Sequence, residues 1–507
     1  MISKEAIRRG YNRGNYVVGA PTPPHFAGEG TPPVGGPSLQ VDPVSVSEEA
    51  AARLRAVADE VLTAPADVVT GTRDWWARSM IAETSGTPAA TVGAIVKVSS
   101  EQQVVDVVTV AAELGLPVTA SAGRSNVTGA AIPLAGGVVL DLCGMNRFLG
   151  VDADSQIVEV EPGMFGDLFE EQLQREHGLT TGHWPSSFAI STVGGWVACR
   201  GAGQLSTRYG KIEDMVYGLD VVLPDGRRVT VGDTPGAAVG PALQELFVGS
   251  EGTLGIITRI RLRVHRLPDH ARAIAYGFDS FADGLDACRE IMQRGATVAA
   301  LRLYDRLESG VQFGLPDTNV LLVADEGSPR IVDACIAEAA EVCAGTGTVL
   351  DEKPIFERWL DTRYLTGKAG EGFSRGPGFV ADTLEMSGRW RDLPAIYDEV
   401  VAALQSVPGT LAGSAHQSHA YTEGACLYFS LRGDVAAPER ADWYRAAWDA
   451  ANKVLLRYDA TLSHHHGVGM LRSPYLAESL GSGMDVLRLV KRALDPDNRF
   501  NPMKFGL

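Results

Sequence analysis

Four glycine-rich segments stand where strand-like runs turn: Gly123 to Gly129, Thr192-Val193-Gly194-Gly195-Trp196, Gly201-Ala202-Gly203, and Gly249 to Gly255. Glycine lets a backbone approach a ligand closely and lets successive N–H groups converge on an anion, which is what a pyrophosphate needs. Any one of them reads as an ordinary turn, and none matches the GxGxxG fingerprint between strand and helix. Four in one region argue for a ligand. A second group of reactive side chains lies near the end of the chain, where His464, His465 and His466 follow one another in SHHHGVG. On residue type alone that run is a metal cluster or a solvated loop.

The elements that must carry these residues are α+β in pattern. AIVKVSS is a short β-branched run, Ser100 to Gln103 forms a capping-box candidate, and VVDVVTVAAELGL is an apolar-periodic helix ending near Gly115. PVTASAG then leads into the first glycine-rich loop. GGVVLDL and QIVEVEPG supply two more strands before the helix MFGDLFEEQLQREHG, and YGLDVVLPDGRRVTVG predicts a hairpin turning at Asp225-Gly226. Ahead of this region, residues 19–46 are a Pro- and Gly-rich arm and residues 47–65 read as a helix. Beyond about residue 271, Ala-rich helices (FADGLDACREIMQRGA, SPRIVDACIAEAAEVC) alternate with strands such as TNVLLVAD and GACLYFSL, which predicts a separately packed domain. The tail, with its histidine run and a helix through VLRLVKRALD, is too short to stand alone and should dock on the others.

The 507 residues are 45% hydrophobic and 21% charged, proportions of a globular chain of two or three domains. A net charge of −17 gives no overall basic field, so nucleic acid is not expected as a partner. Cys143, Cys199, Cys288, Cys335, Cys343 and Cys426 are scattered without CxxC pairs, the pattern of reduced thiols. The N-terminus lacks an apolar signal core and no apolar stretch approaches ~18 residues. A cytoplasmic location without a transmembrane segment is expected, with peripheral membrane attachment and a homodimer left open.

Five segments carry a specific resemblance: TGHWPSSFAISTVGGWVACRGAG (181–203), RYGKIEDMVYGLDVVLPDG (208–226), FVGSEGTLGIIT (247–258), EGACLYFSL (423–431) and SHHHGVGMLR (463–472). The first three resemble the FAD domain of the vanillyl-alcohol-oxidase family, and the last two its alkylglycerone-phosphate synthase subfamily. The resemblance implies a PCMH-type FAD-binding domain of two α+β subdomains over residues 85–270 and an α+β cap over 271–455. An N-terminal arm and helix (1–84) precede them, and a C-terminal segment (456–507) docks at the FAD site.

Carried over by position, Gly123, Arg124, Ser125, Asn126 and Val127 match the first pyrophosphate loop, and Ser191, Thr192, Gly194 and Gly195 the second. Glu213 and Asp214 fall in the segment near the adenosine half, and Gly252, Thr253, Gly255 and Ile257 on the strand flanking it. The first loop has no His or Cys to tether flavin, so FAD is expected to be non-covalent. Tyr428 and the histidine run match residues that face the flavin, where a phenol and neutral imidazoles can take, give and pass a proton. Tyr428 also reads as a half-buried strand aromatic. His183 lies where the family has a histidine near the flavin. Arg389 and Arg391 lie near the family's substrate arginine, whose fork suits a carboxylate or phosphate, although one of them also reads as surface charge.

Related D-2-hydroxy-acid dehydrogenases bind a divalent metal at positions that appear here as Tyr421, Tyr428 and His465. Two phenols would have to ionise against a pKa near ~10, so no metal is expected. Trp184, Ser186 and Met470 stand where the synthases have acidic residues and a lysine, which predicts a less charged or more hydrophobic ligand.

The resemblance implies a flavoenzyme acting on a small molecule, lipid-like or carboxylate-bearing. Its chemistry would be exchange of an acyl for an alkyl group through a covalent adduct on the flavin ring. Net oxidation of an alcohol or 2-hydroxy acid is the alternative. A non-catalytic flavin-binding protein is a third reading, disfavoured because a bare scaffold has no need of Tyr428 and three histidines.

Overall fold

The alternation of β-branched runs and amphipathic helices folds into three large sheets, of four, five and seven strands. The computed structural model describes residues 2, 19–21, 39–40, 42–84, 89–364 and 378–507. Most of the Pro- and Gly-rich arm lies outside the described residues.

In the four-stranded sheet the order is Glu60–Leu62, Ala94–Lys97, Val138–Asp141, Val118–Ser121. The last three run parallel, which requires a crossover, and the helix Glu101–Glu113 supplies it. Ser100 caps that helix by accepting from Gln103 N, and the Gln103 side chain accepts from Ser99 N at 2.8 Å. Val104, Val107, Val108 and Ala111 form its buried face, at helical spacing. The helix expected over 47–65 is shorter: Glu48–Arg55 is helical, then the chain turns and Glu60–Leu62 pairs antiparallel with Ala94–Lys97. Val61 and Leu62 gain more as a sheet edge than as a further helical turn.

The five-stranded sheet is antiparallel, in the order Phe148–Asp152, Ile157–Val160, Ile256–Arg263, Val216–Val222, Arg228–Gly232. Its last pair is the hairpin expected at Asp225-Gly226. Helix Gly166–His177 packs on this half and stops at Gly178, a left-handed cap.

The seven-stranded sheet runs Thr348–Leu350, His270–Phe278, Asn319–Gly327, Ala300–Tyr304, Thr410–Ala420, Gly424–Asp434, Phe379–Arg389. Helices Phe281–Gln293, Pro329–Cys343, Leu393–Gln405 and Arg440–Arg457 contribute buried side chains to its apolar core. Beyond the histidine segment the chain returns to the four-stranded sheet. Val118 N donates to Arg499 O and Asn501 N to Val118 O, both at 2.8 Å. Buried Lys504 donates to Ile132 O at 2.7 Å. The tail therefore passes the cap and ends on the sheet that carries the first glycine-rich loop. No helix among the described residues is long and apolar enough to cross a membrane.

Candidate active site

Strand Val118–Ser121 delivers the loop Gly123–Val127 to one wall of a cavity of about 800 Å³. The second loop lies against it so closely that a Cβ on Gly123 would sit 2.5 Å from Ile190 O, which only glycine permits. Ser191, Thr192, Gly194 and Gly195 line the same wall, as do Gly252, Gly255 and Ile257. Here the polar inventory is incomplete. Among the described residues, Ser121 Oγ, Arg124 Nη1 and both ring nitrogens of His183 are buried without a hydrogen-bond partner. All four residues line the cavity. Buried polar groups without partners are costly, so these atoms fit a large polar ligand with anionic and amide-like groups, as FAD has.

Three residues assigned to the cofactor are not on that wall. Glu213 pairs with Arg200 at 3.2 Å and Lys211 at 2.9 Å, and Asp214 accepts from Lys211 N at 2.9 Å, closing the turn Ile212–Met215 ahead of its strand. Thr253 is buried and donates to Ser250 O at 2.7 Å.

The opposite wall is the cap sheet. Strand pairing places Tyr304 beside His416, His416 beside Tyr428, and Tyr428 beside Glu385, one residue from each of four neighbouring strands. Partners across a ladder point to the same face. The first three rings stack, at 5.2 Å and 5.0 Å between centroids, and His465 continues the row at 6.0 Å from Tyr428. The Tyr428 hydroxyl donates to Thr383 Oγ1 at 3.0 Å, and burial pushes its pKa up, so it stays a neutral phenol.

Two buried carboxylates hold the histidine segment. Glu385, from the cap, accepts from Ser463 Oγ, His465 N and His466 N at 2.7, 3.1 and 2.7 Å and pairs with Arg472, both side chains fully buried. Burial opposes the Glu385 charge, but the Arg472 guanidinium and these donors outweigh it and hold the carboxyl at about 2. Glu251, from the side of the glycine-rich loops, accepts from Val468 N at 2.6 Å and Gly469 N at 2.9 Å. Gly467, at φ 84°, has no room for a side chain because a Cβ there would meet the Glu251 carboxylate. Asn126 of the first loop adds a third tie, donating to His466 O at 3.0 Å. The segment is thus fixed to both halves at once.

The histidines are kept neutral by burial, which drives His464 down to about 3, His465 well below its usual range and His466 less far, because the Glu385 carboxylate opposes the shift. His465 and His466 line the cavity, whereas His464 stands behind them with its Nε2 on the Tyr421 hydroxyl at 2.5 Å. His183, also forced down to about 3 by burial, lines the cavity 4.6 Å from the Trp196 ring.

Arg389 and Arg391 do not reach the site. Arg389 lies at the far end of its strand, six residues beyond Thr383 and so about 20 Å along at ~3.3 Å per residue. Arg391 is exposed beside Asp392. Buried cations on the cavity wall are instead Arg363 and Arg302; Arg302, on strand Ala300–Tyr304, donates from its Nε to Tyr304 Oη at 2.9 Å. Among the described residues no carboxylate lies within ion-pair distance of it. Trp184 and Met470 are not on the cavity wall either: Trp184 is fully buried against Phe188, 4.5 Å between rings, and Met470 packs on the cap core. Neither makes the ligand site hydrophobic.

Reasoning from sequence also passed over His419. A register shift between Gln417 and His419 brings both Ser418 and His419 to the cavity. His419, His464 and His465 each offer a nitrogen within 4.8 Å of the others, a set that could hold a metal and that does not include Tyr421 or Tyr428. Four of the six ring nitrogens already have partners. Ser206 Oγ meets His419 Nδ1 at 2.6 Å, Tyr421 meets His464, and His464 Nδ1 and His465 Nδ1 share a hydrogen bond at 2.9 Å.

Comparison with known proteins gives the family. Residues 92–232 match the model of an FAD binding domain, and residues 267–505 that of the C-terminal domain of FAD linked oxidases. An FAD-linked oxidoreductase of Escherichia coli, YgcU, is 31% identical over 395 residues, covering 72% of this chain and 78% of that protein. The chain belongs to the FAD-linked oxidase family. Alkyldihydroxyacetonephosphate synthase of Trypanosoma brucei brucei is 29% identical over 451 residues, 81% of this chain and 72% of that one. A solved alkyldihydroxyacetonephosphate synthase structure superposes with a TM-score of 0.76 over 99% of this chain and 92% of that chain, at 24% identity, a likeness of fold. As an FAD-linked oxidase family member the chain is an FAD-dependent enzyme with a PCMH-type α+β fold. In it the glycine-rich loops, with their close backbone approach, could hold the cofactor's phosphates.

Proposed function

We propose that this enzyme exchanges an acyl for an alkyl group on a small ketone phosphate, the reaction that its resemblance to the alkylglycerone-phosphate synthases implies. The observation that carries the reading is the meeting of Tyr428 with His465 and His466 on the cavity wall opposite the glycine-rich loops. Bound FAD supplies an electrophilic ring that can hold carbon or accept hydride. The chain's own residues do the rest. Arg302, a buried cation without a carboxylate partner, suits the substrate's anionic end. Tyr428 donates a hydrogen bond to a developing oxyanion, and the neutral His466, with Glu385 3.6 Å from its Nδ1, takes a proton from carbon or oxygen. Burial of these groups strengthens each interaction and excludes water from the reacting carbon.

The test is anaerobic mixing of the yellow protein with acyl dihydroxyacetone phosphate and a long-chain alcohol, followed by mass spectrometry and flavin absorbance. Ether product with no lasting bleaching is expected. Lasting bleaching by an alcohol or 2-hydroxy acid alone, with no ether, would replace this reading with net oxidation.

A further inference from the structure

Beside Tyr428 on the cavity wall is a second acid–base pair, made from two elements far apart in sequence. Glu308, on helix Arg306–Phe313, accepts from His416 Nδ1 at 2.6 Å, from Ser430 Oγ at 2.8 Å and from Ser414 Oγ at 3.2 Å. The helix is fixed for this contact by Asp305, whose carboxylate caps Glu308 N at 2.8 Å and accepts from Ala415 N, next to His416, at 2.7 Å. Burial opposes the Glu308 charge, but His416 and the two hydroxyls outweigh it and hold the carboxyl below its usual range. An ionised carboxylate can only accept, so the proton between the two belongs to Nδ1, and Nε2 is the ring nitrogen left to meet a ligand. Among the described residues Nε2 has no hydrogen-bond partner, and both His416 and Glu308 line the cavity.

The helix that bears Glu308 also brings apolar side chains to the cavity. Leu307 and Val311, four residues apart on the helix that bears Glu308, line the cavity and remain 44% and 64% exposed. A ligand entering beside them presents hydrocarbon to the helix and can bring a terminal hydroxyl to His416. We propose that His416, oriented by Glu308, is the base that takes the proton of the incoming alcohol.

This inference rests on the exchange reaction proposed above. In that step the alcohol O–H bond breaks, its proton passes to Nε2, and the oxygen's electron pair forms the new bond to carbon. The acyl group leaves in the first half-reaction, as a carboxylate with the electron pair of its own C–O bond, the electrophilic ring that bound FAD would supply holding the carbon, and the proton taken by Nε2 is later released to water. Nothing is oxidised or reduced. Tyr428 and His466 serve the ketone phosphate and His416 the alcohol, so the two half-reactions use different bases.

That division is testable with the FAD-loaded enzyme, acyl dihydroxyacetone phosphate and hexadecanol. Fatty-acid release without alcohol reports the first half-reaction, and ether formation reports both. His416→Ala is expected to lower ether formation about 10²-fold, to leave fatty-acid release within a few-fold of wild type, and to recover when imidazole is added. Glu308→Gln should show the same selective loss, smaller in size. His416→Gln, which can still donate to Glu308, decides the matter if the alanine variant does not retain FAD, and it too should lose ether formation selectively. Ether formation at the wild-type rate in these His416 variants, or equal loss of both half-reactions without imidazole rescue, overturns the role of His416 alone. Wild-type enzyme that makes no ether overturns the exchange reaction, and this inference with it.

Discussion

His416 and Tyr428 lie directly opposite each other across two antiparallel strands, their rings stacked 5.0 Å apart at 25°. Each has a polar partner on its outer side, Glu308 for His416 and Thr383 for Tyr428. The cap sheet therefore presents two acid–base groups side by side on the face it turns to the cofactor loops.

Tyr428→Phe should keep the stack and lose only the hydroxyl and its bond to Thr383. Turnover is expected to fall about 10²-fold, the scale of a positioned acid–base group, with FAD content and Tm near wild type. Steady-state rates together with the 450 nm to 280 nm absorbance ratio check this. Unchanged turnover on the true substrate would leave Tyr428 a packing residue.

How much of this was legible in the sequence depends on how local the determinant is. The glycine-rich loops, the capped helix Glu101–Glu113 and the Asp225-Gly226 hairpin are set by neighbours within a few residues, and they were readable. The pairing of Glu308 with His416 spans 108 residues and depends on strand register, which sequence spacing does not reveal. One signal was present: in ALRLY and TLAGSAHQ polar side chains alternate on what becomes the inward face, which an ordinary core strand would fill with hydrocarbon. Arg389 and Arg391 were misplaced for the same reason, since family likeness gave the strand but not how far along it the cavity reaches.

FAD should be released by acid precipitation, leaving a colourless pellet. Cys199 is the cavity-lining cysteine, and its thiol is pushed far up by burial, with the Glu251 carboxylate adding to the shift. A thiol held protonated is a poor nucleophile toward the flavin ring. Yellow colour retained by the denatured protein after washing would show a tether.

Activity should be indifferent to EDTA. In the cluster of His419, His464 and His465, the bond between His464 Nδ1 and His465 Nδ1 needs a proton on one of the two nitrogens, so that nitrogen cannot ligate unless the bond breaks. Strong inhibition by EDTA that zinc or manganese reverses would establish a resident metal.

Glu385→Gln should destabilise the fold in a pH-dependent way. The folded carboxyl titrates at about 2 against a usual 4.5, so its stabilisation is complete above 4.5 and is lost as pH falls toward 2. By linkage this amounts to about 3 kcal/mol. The glutamine also leaves the Arg472 charge buried and unpaired, a loss on the order of 3–5 kcal/mol. Urea unfolding at pH 7 and pH 4 should show a gap between wild type and variant that narrows at the lower pH. A gap of equal size at both would assign the effect to packing alone.

Arg302→Met should separate stability from function in opposite directions. A buried guanidinium whose described hydrogen bond is to a neutral phenol, with no carboxylate in ion-pair range among the described residues, destabilises the ligand-free protein. Methionine fills similar volume without charge, so Tm of the variant is expected to rise. The same change removes the cation proposed to meet the substrate's anionic end, and a charge-assisted hydrogen bond lost there is about 1.5–3 kcal/mol, roughly 10- to 10²-fold in KM. FAD content should not change, since Arg302 stands on the cap sheet and the glycine-rich loops are on the opposite wall. Differential scanning fluorimetry and a substrate titration read the two effects independently. A higher KM with a lower Tm would mean that Arg302 is held by the fold for packing, and an unchanged KM would place the substrate's anion elsewhere in the cavity.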